Sequence, residues 1–131
     1  MHKSLAALAL VAGLLSSSAS YSHHSFSAEF DVGRPVDLTG TVKSFEWANP
    51  HAWLHLEVTD AQGKTQVWAV EMLGTNSLAR SGMSPKTVKT GDKLRVTGFG
   101  ARNGTNTANA SSVIRSDTGA TLWTSAKPGD N

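Results

Sequence analysis

The chain has 131 residues, a formal net charge of +2, 39% hydrophobic residues and 17% charged residues. This composition is typical of one small globular domain, and it excludes a disordered or fibrous chain. The sequence contains no cysteine, which excludes disulfides, zinc–thiolate sites, covalent haem attachment and thiol catalysis.

The first 22 residues, MHKSLAALALVAGLLSSSASYS, have the three parts of a secretory signal peptide. A short basic start with Lys3 precedes an apolar run from Leu5 to Leu15, and small residues follow. The apolar run is too short for a permanent membrane anchor, which takes about 20 residues. We therefore expect an exported protein, periplasmic or secreted, without a stable membrane anchor.

Two cleavage sites satisfy the preference of signal peptidases for small side chains one and three positions before the cut. Ser20 and Ser22 allow a cut before His23, and Ser18 and Ser20 allow a cut before Tyr21. Both cuts leave a histidine at or near the new N-terminus.

The rest of the chain indicates a single folded unit. Removal of residues 1–22 takes away Lys3 and no acidic residue, so the net charge falls from +2 to +1. This nearly neutral charge gives no electrostatic footprint for nucleic acid. The predicted parts are a signal peptide (1–22), an N-terminal extended segment (23–36), a β-domain (37–117) and a C-terminal tail (118–131).

The stretch VDLTGTVKSFEW predicts the first strand, because it is rich in β-branched and aromatic residues with a period of two. Leu38 and Val42 share one face, whereas Phe45 and Trp47 fall on the opposite parity. This change of parity, together with the central Gly40, predicts a bend or bulge within the strand.

The stretches AWLHLEVTD and TQVWAVEM predict strands two and three, which the turn DAQGK joins into a hairpin. A symmetric hairpin sets three cross-strand pairs: Thr59 with Thr65, Trp53 with Glu71, and His55 with Ala69. The predicted core face carries Leu54, Leu56, Val58, Trp68, Val70 and Met72. The other face is mixed and could meet water or a ligand; it carries Trp53, His55, Glu57, Val67 and Glu71.

A short helix in GTNSLARSGMSP and two further strands complete the predicted elements. Met83 lies before a Ser-Pro turn, where we expect it on the surface. Five strands, a bent first strand and a short helix between strands three and four are the element order of an OB-fold barrel. We therefore predict an all-β, five-stranded OB-like barrel, with an antiparallel β-sandwich as the alternative.

Three stretches of the sequence resemble one family of small exported bacterial proteins that is catalogued as a domain of unknown function. They are HHSFSAEFD, LTGTVKSFEWANPHAWLHLEV and GFGARNGTNTANASSV. The resemblance implies an exported β-barrel protein and supplies no activity. The residues shared with the family pattern are His23, His24, Ser25, Phe26, Glu29, Asp31, Trp47, Asn49, Pro50, His51, Trp53 and Asn109.

His23 and His24 are the first candidates for a metal site. A cut before His23 would let the new α-amine and the imidazole chelate one ion, with His24 beside them. A cut before Tyr21 would put a histidine in third place, where the amine, two backbone amides and the imidazole form a square-planar set. Copper(II) and nickel(II) prefer that geometry. The alternative is a soluble tail without a binding role.

His51 and His55 are the second pair of candidates, four residues apart on one face of a strand with Trp53 between them. At ~3.3 Å per residue they are roughly 13 Å apart, too far to share one ion unless the chain bends after Pro50. The alternative is that His55 is a half-buried surface residue and that His51 bonds the backbone of the Asn-Pro turn.

Further ligands would have to come from elsewhere in the chain. The candidates are Glu71 across the hairpin, and Glu29 and Asp31 in the N-terminal segment with His23 and His24. Trp47 and Trp53 are either ordinary barrel aromatics or a stacking platform on the ligand-binding face of an OB barrel. The predicted ligand or partner surface consists of Glu29, Asp31, Trp47, Asn49, Trp53 and Glu71.

The leading hypothesis is an exported binding protein that binds a divalent metal such as copper through His23, His24, His51 and His55. The alternative is an accessory subunit that docks on a larger cell-envelope protein. A small enzyme ranks third, because the sequence has neither a nucleophile elbow nor a carboxylate pair at a recognisable spacing, and we name no catalytic residue.

Overall fold

In a computed structural model of the protein, residues 25–125 are described, and they form an all-β domain. The strands are β1 (Phe30–Glu46), β2 (Trp53–Thr59), β3 (Thr65–Glu71), β4 (Lys93–Ala101), β5 (Thr107–Arg115) and β6 (Thr121–Thr124). Helix α1 (Phe26–Glu29) precedes β1, and helix α2 (Thr75–Arg80) lies between β3 and β4. Residues 1–24, with the predicted signal peptide, His23 and His24, lie outside the described residues.

Hydrogen bonding joins five of the strands into a ring. β1 pairs antiparallel with β2 and β4, β2 pairs with β3, and β4 pairs with β5. A parallel pairing of residues 69–71 of β3 with residues 107–109 of β5 closes the ring. This connectivity, with a helix between β3 and β4, is OB-like, as predicted. The strands belong to one sheet, so residues 25–125 do not form the alternative two-sheet sandwich.

β6 is an addition to the five predicted strands. It pairs antiparallel with residues 112–114 of β5 and lies within the segment that we expected to be a C-terminal tail. Trp123 is 4% exposed and packs in the core opposite Val113. A strand of four residues is too short to show a clear two-residue period, so sequence patterns did not predict it.

The predicted irregularity in β1 is confirmed. The register with β2 shifts between Val42 and Ser44, which leaves Lys43 as the extra residue of a bulge. Val42 is buried before the bulge, and Phe45 packs against the core after it. The bulge therefore lets side chains of opposite parity reach the same core.

The predicted hairpin register is also confirmed, including the pair Thr59 and Thr65 at its end. Leu54, Leu56, Val70 and Met72 of the predicted core face are fully buried.

Met83 contradicts our expectation, since it is 3% exposed and belongs to the core. Its backbone N–H donates to the carbonyl of Leu78, the buried residue of α2, at 3.0 Å. This bond turns the chain inward before the Ser-Pro turn, so the turn is exposed and the residue before it is not. Within residues 25–125, neither helix is long and apolar enough to cross a membrane.

Candidate functional site

A row of side chains crosses four strands on the outer face of the ring. Glu46 of β1 is paired with Trp53 of β2, and Trp53 is paired with Glu71 of β3. The parallel contact that closes the ring pairs Glu71 with Asn109 of β5. Residues in such pairs have Cβ atoms about 5 Å apart. Strand register alone therefore aligns two carboxylates, an indole and a carboxamide.

Glu71 is the central charged group of this row. Glu71 and Asn109 are the polar side chains that are buried among the described residues, with exposures of 5% and 2%. Glu71 Oε1 lies 2.7 Å from His51 Nδ1, and Asn109 Nδ2 donates to the same oxygen at 3.4 Å. The hairpin register predicted Glu71 on the mixed outer face. Glu71 does lie on that face, but its side chain is buried and not exposed to water.

The pKa of Glu71 is raised above its ordinary value, chiefly because burial removes water from the carboxylate. The charge of His51 lowers this pKa, the nearby charge of Glu29 raises it, and the hydrogen bonds from Asn109 and His51 lower it. A buried carboxylate is costly unless it is paired and hydrogen-bonded. His51 and Asn109 are thus the groups that make burial of Glu71 tolerable.

The loop between β1 and β2 positions His51. The Asn49–Pro50 peptide bond is cis, and Asn49 Oδ1 accepts hydrogen bonds from the backbone N–H and hydroxyl of Thr75 at 3.0 and 3.1 Å. A Cβ on Gly74 would lie 2.5 Å from the carbonyl oxygen of Pro50. The loop therefore rests directly on the start of α2, and Asn49 is engaged in holding it there.

Hydrogen bonds beyond the end of the hairpin fix the residue that follows His51. The N–H of Ala52 donates to the carbonyl of Leu73 at 3.0 Å, and the N–H of Met72 donates to the carbonyl of Ala52 at 2.9 Å. Ala52 itself is fully buried. The imidazole of His51 is thereby held beside Glu71, and its ring nitrogen contacts this carboxylate rather than the backbone of the turn.

His55 belongs to a separate pair. Its Nε2 lies 3.1 Å from Oε1 of Glu46, and its side chain is 26% exposed, so it is a half-buried surface residue. His51, in the loop before β2, and His55, on β2, contact different carboxylates. The structure therefore does not bring the two strand histidines together on one group.

The N-terminal segment reaches the same outer face. Phe26 of α1 stacks on Phe30, with ring centroids 5.7 Å apart, and meets Phe99 edge-on at 5.9 Å. Phe99 is the cross-strand partner of Asn109. Glu29 is close enough to Glu71 for its charge to raise the pKa of that carboxyl. The segment that starts at Ser25 therefore lies beside the buried pair.

The remaining predicted residues have other contacts. Asp31 lies 3.6 Å from Arg102 and accepts a hydrogen bond from the N–H of Gly33 at 2.8 Å. Trp47 meets Phe45 edge-on at 5.9 Å and packs against the core. Among residues 25–125, no group of three or more His, Asp or Glu side chains has a geometry that could hold a metal ion.

Two members of the row, Asn109 and Glu46, were not among the candidate site residues. Asn109 was noted only as part of the family motif. Its contact with Glu71 depends on a pairing between strands that are 38 residues apart in the chain. Glu46 could have been found by extending the hairpin register to β1.

The fold and the site define a class of protein: a small all-β domain with OB-like connectivity, in which a partly exposed histidine contacts a buried carboxylate–carboxamide pair on the outer face. The chain belongs to a family of unknown function (DUF6152), whose model matches residues 11–110. The matched region contains every residue of the row. No curated protein and no solved structure matches the chain.

Proposed function

We propose that this protein is an exported, periplasmic binding protein that holds one divalent metal ion, with copper(II) as the best fit. The ligands are a ring nitrogen of His51 and the nitrogens of His23 and His24 in the N-terminal segment. Imidazole nitrogens suit copper(II), which forms tetragonal complexes with such ligands. The contact of 2.7 Å between His51 Nδ1 and Glu71 Oε1 is the observation that carries the proposal.

This contact has the form found around bound metals. A histidine that binds a metal through one ring nitrogen commonly donates the N–H of the other to a carboxylate, which fixes its orientation. Since Glu71 takes Nδ1, the nitrogen for the metal is Nε2. The side chain of His51 is 32% exposed, whereas that of Glu71 is 6% exposed. Glu71 therefore orients the ligand, and His51 presents it.

The position of Glu29 supports the contribution of the N-terminal histidines. Glu29 is close enough to Glu71 for its charge to raise the pKa of that carboxyl, and His24 lies five residues before Glu29 in the chain. In this proposal His23 and His24 complete the site to which the folded domain contributes His51.

Copper(II) titration of mature protein purified from the periplasm tests the proposal, after its N-terminus has been fixed by intact mass. We expect His51→Ala and His23→Ala each to weaken copper(II) binding by at least about tenfold, since each removes one nitrogen ligand. His55→Ala is the matched control, because His55 on β2 is also paired with a carboxylate, that of Glu46 on β1, and lies apart from Glu71. Wild-type affinity in His51→Ala would contradict the proposal.

A second candidate function is docking on a larger cell-envelope protein. Val67 is 42% exposed, and it shares the outer face of the hairpin with the partly buried Trp53. Aromatic residues are enriched among the anchors of protein interfaces. For this function, Trp53→Ala should abolish recovery of a partner from cell-envelope extracts without changing the metal content. Recovery of no partner by the wild-type protein would count against it.

A further inference from the structure

The loop between β4 and β5, residues 102–106, has the sequence RNGTN and lies outside the proposed metal site. Among the asparagines of the chain, Asn103 is the one followed by a glycine, Gly104. Asparagine is a thermolabile residue, because the backbone nitrogen of the next residue can attack its side-chain carbonyl carbon. A glycine presents the least hindered nitrogen, since it has no Cβ. The sequence therefore favours this reaction most at the pair of Asn103 and Gly104.

The conformation of the loop places the two reacting atoms in one small ring. The N–H of Thr105 donates to Asn103 Oδ1 at 3.1 Å, which is the hydrogen bond of an Asx turn. The ring closed by this bond contains both the side-chain carbonyl carbon of Asn103 and the backbone nitrogen of Gly104. A Cβ built on Gly104 would have its nearest neighbour at 4.0 Å. The nitrogen is thus held close to the carbonyl carbon without crowding.

Two donors of Thr105 point at the oxygen on which negative charge develops. Attack on the carbonyl carbon forms a tetrahedral intermediate in which Asn103 Oδ1 becomes an oxyanion. This oxygen already accepts hydrogen bonds from the hydroxyl of Thr105 at 2.7 Å and from its N–H at 3.1 Å. Donors that are in place before the reaction stabilise such a transition state. Because the loop is exposed to water, the effect is smaller than in a buried active site.

We propose that Asn103 is a self-modification site, which converts to aspartate and isoaspartate through a cyclic imide with Gly104. A base from the solvent takes the proton of the Gly104 N–H, which in the folded loop donates to the carbonyl of Ala101 at 3.2 Å. The nitrogen then forms a bond to Cγ of Asn103. The bond from Cγ to Nδ2 breaks, and Nδ2 leaves as ammonia after the base returns the proton. Water adds to either carbonyl of the imide and opens it to a carboxylate.

The products change the loop between two points at which it is held. Arg102 donates from Nε to the carbonyl of Ser27 at 2.6 Å, and the carbonyl of Asn106 accepts a hydrogen bond from the N–H of Ala69 at 3.0 Å. Both products carry a new negative charge next to Arg102 in the chain. Isoaspartate also adds one methylene to the main chain between these two points. The modification therefore alters both the charge and the length of the connection between β4 and β5.

The experiment follows deamidation of the full mature protein under mildly alkaline conditions, with peptide mapping by mass spectrometry to locate each amide that becomes an acid. Thr105→Val removes the hydroxyl donor and keeps the N–H. Thr118→Val is the matched control, because Thr118 is also an exposed turn threonine and its hydroxyl contacts the N–H of Ala120. Each protein is measured folded and in urea, where the Asx turn is lost.

We expect Asn103 of the folded wild-type protein to be modified faster than the other asparagines of residues 25–125. Thr105→Val should slow the reaction about threefold to tenfold, the effect of one net hydrogen bond, whereas Thr118→Val should leave the rate unchanged. Thr105→Ser keeps the hydroxyl and should retain the wild-type rate. In urea, wild type and Thr105→Val should react at equal rates. Thr105→Ala replaces Thr105→Val if that variant fails to fold.

An Asn103 that stays unmodified in the folded protein while the same residue reacts in urea would overturn the proposal. Equal rates for folded wild type and Thr105→Val would overturn the role of Thr105. Equal slowing of Thr105→Val in urea would also overturn that role, because the effect would then belong to the local sequence and not to the fold. None of these outcomes depends on whether the protein binds copper(II).

Discussion

At the scale of single residues, burial decides what His51 and Glu71 can do. Glu71 is on the outer face of β3, yet it is buried, and this burial raises the pKa of its carboxyl. A carboxylate in that position binds its hydrogen-bond donors more strongly than one in water. It therefore fixes the orientation of His51 and the amide of Asn109.

Glu71→Gln tests this orienting role. The substitution keeps the shape of the side chain but removes the charge that holds the imidazole. We expect copper(II) affinity to fall by about 10–100-fold, the usual effect of losing a carboxylate that orients a metal-binding histidine. Copper(II) titration measures it, and urea unfolding of the apoprotein serves as the folding control. Unchanged affinity in a folded variant would show that Glu71 does not orient a ligand.

Asn109→Ala tests the other partner of Glu71. Removal of a buried carboxamide leaves the carboxylate with one donor fewer, which costs about 1–3 kcal/mol of unfolding free energy. Urea unfolding of the apoprotein should show this loss. Ser111→Ala, at a partly buried position on the same strand, is the comparison. A loss in Asn109→Ala no greater than that in Ser111→Ala would contradict the role given to the buried amide.

At the scale of elements, the loop between β1 and β2 links the site to α2. Asn49 bonds to Thr75 at the first turn of α2, and Gly74 lies directly against Pro50. Any side chain at position 74 would push the loop outward. The position of His51 thus depends on a glycine that lies on another element.

Gly74→Ala should therefore displace His51 and weaken copper(II) binding by about tenfold, because a ligand moved by even 1 Å no longer fits the ion. Gly63→Ala at the hairpin tip is the control: it is strained by a φ of +80°, but no atom lies within 4 Å of its added Cβ. Both variants should lose stability, and only Gly74→Ala should lose affinity. Equal affinities in the two variants would contradict this account of the loop.

The turn before β4 makes stability depend on pH. The N–H of Lys89 donates to Asp92 Oδ2 at 2.9 Å, and Arg115 lies 3.2 Å from the same oxygen. These contacts, the backbone hydrogen bond foremost, hold the pKa of Asp92 below its ordinary value of 3.8. A lowered folded-state pKa gives stability that is present above 3.8 and is lost as the pH falls through the folded-state pKa.

Asp92→Asn should consequently lower the unfolding free energy by about 1 kcal/mol at neutral pH. The difference from wild type should shrink as the pH is lowered from about 5 to about 2, because the wild-type carboxyl then loses its charge as well. Urea unfolding across this range measures the difference. A difference independent of pH would show that the charge of Asp92 does not stabilise the turn.

At the scale of the whole molecule, the predictions that were confirmed rest on local sequence patterns. The register of the β2–β3 hairpin follows from its turn and its two-residue period, and the bulge in β1 follows from the parity of Leu38 and Phe45. Each of these features depends on residues that are close in sequence.

Contacts between residues far apart in the chain could not be predicted from local sequence patterns. The pairing of β3 with β5 joins Glu71 to Asn109, 38 residues apart in the chain. This contact leaves neither a period nor a turn signal in the sequence. The candidate residues were therefore predictable one by one, whereas their grouping around Glu71 was not.

The central claim is that the folded β-domain itself supplies a ligand and that the metal is not held by the N-terminal residues alone. Electron paramagnetic resonance of the mature protein loaded with one equivalent of copper(II), compared with His51→Ala, tests it most directly. We predict that the wild-type spectrum shows the hyperfine coupling of one nitrogen more than the spectrum of His51→Ala, and that His55→Ala resembles wild type. Identical spectra for wild type and His51→Ala would contradict the claim and would leave copper binding to the N-terminal histidines alone.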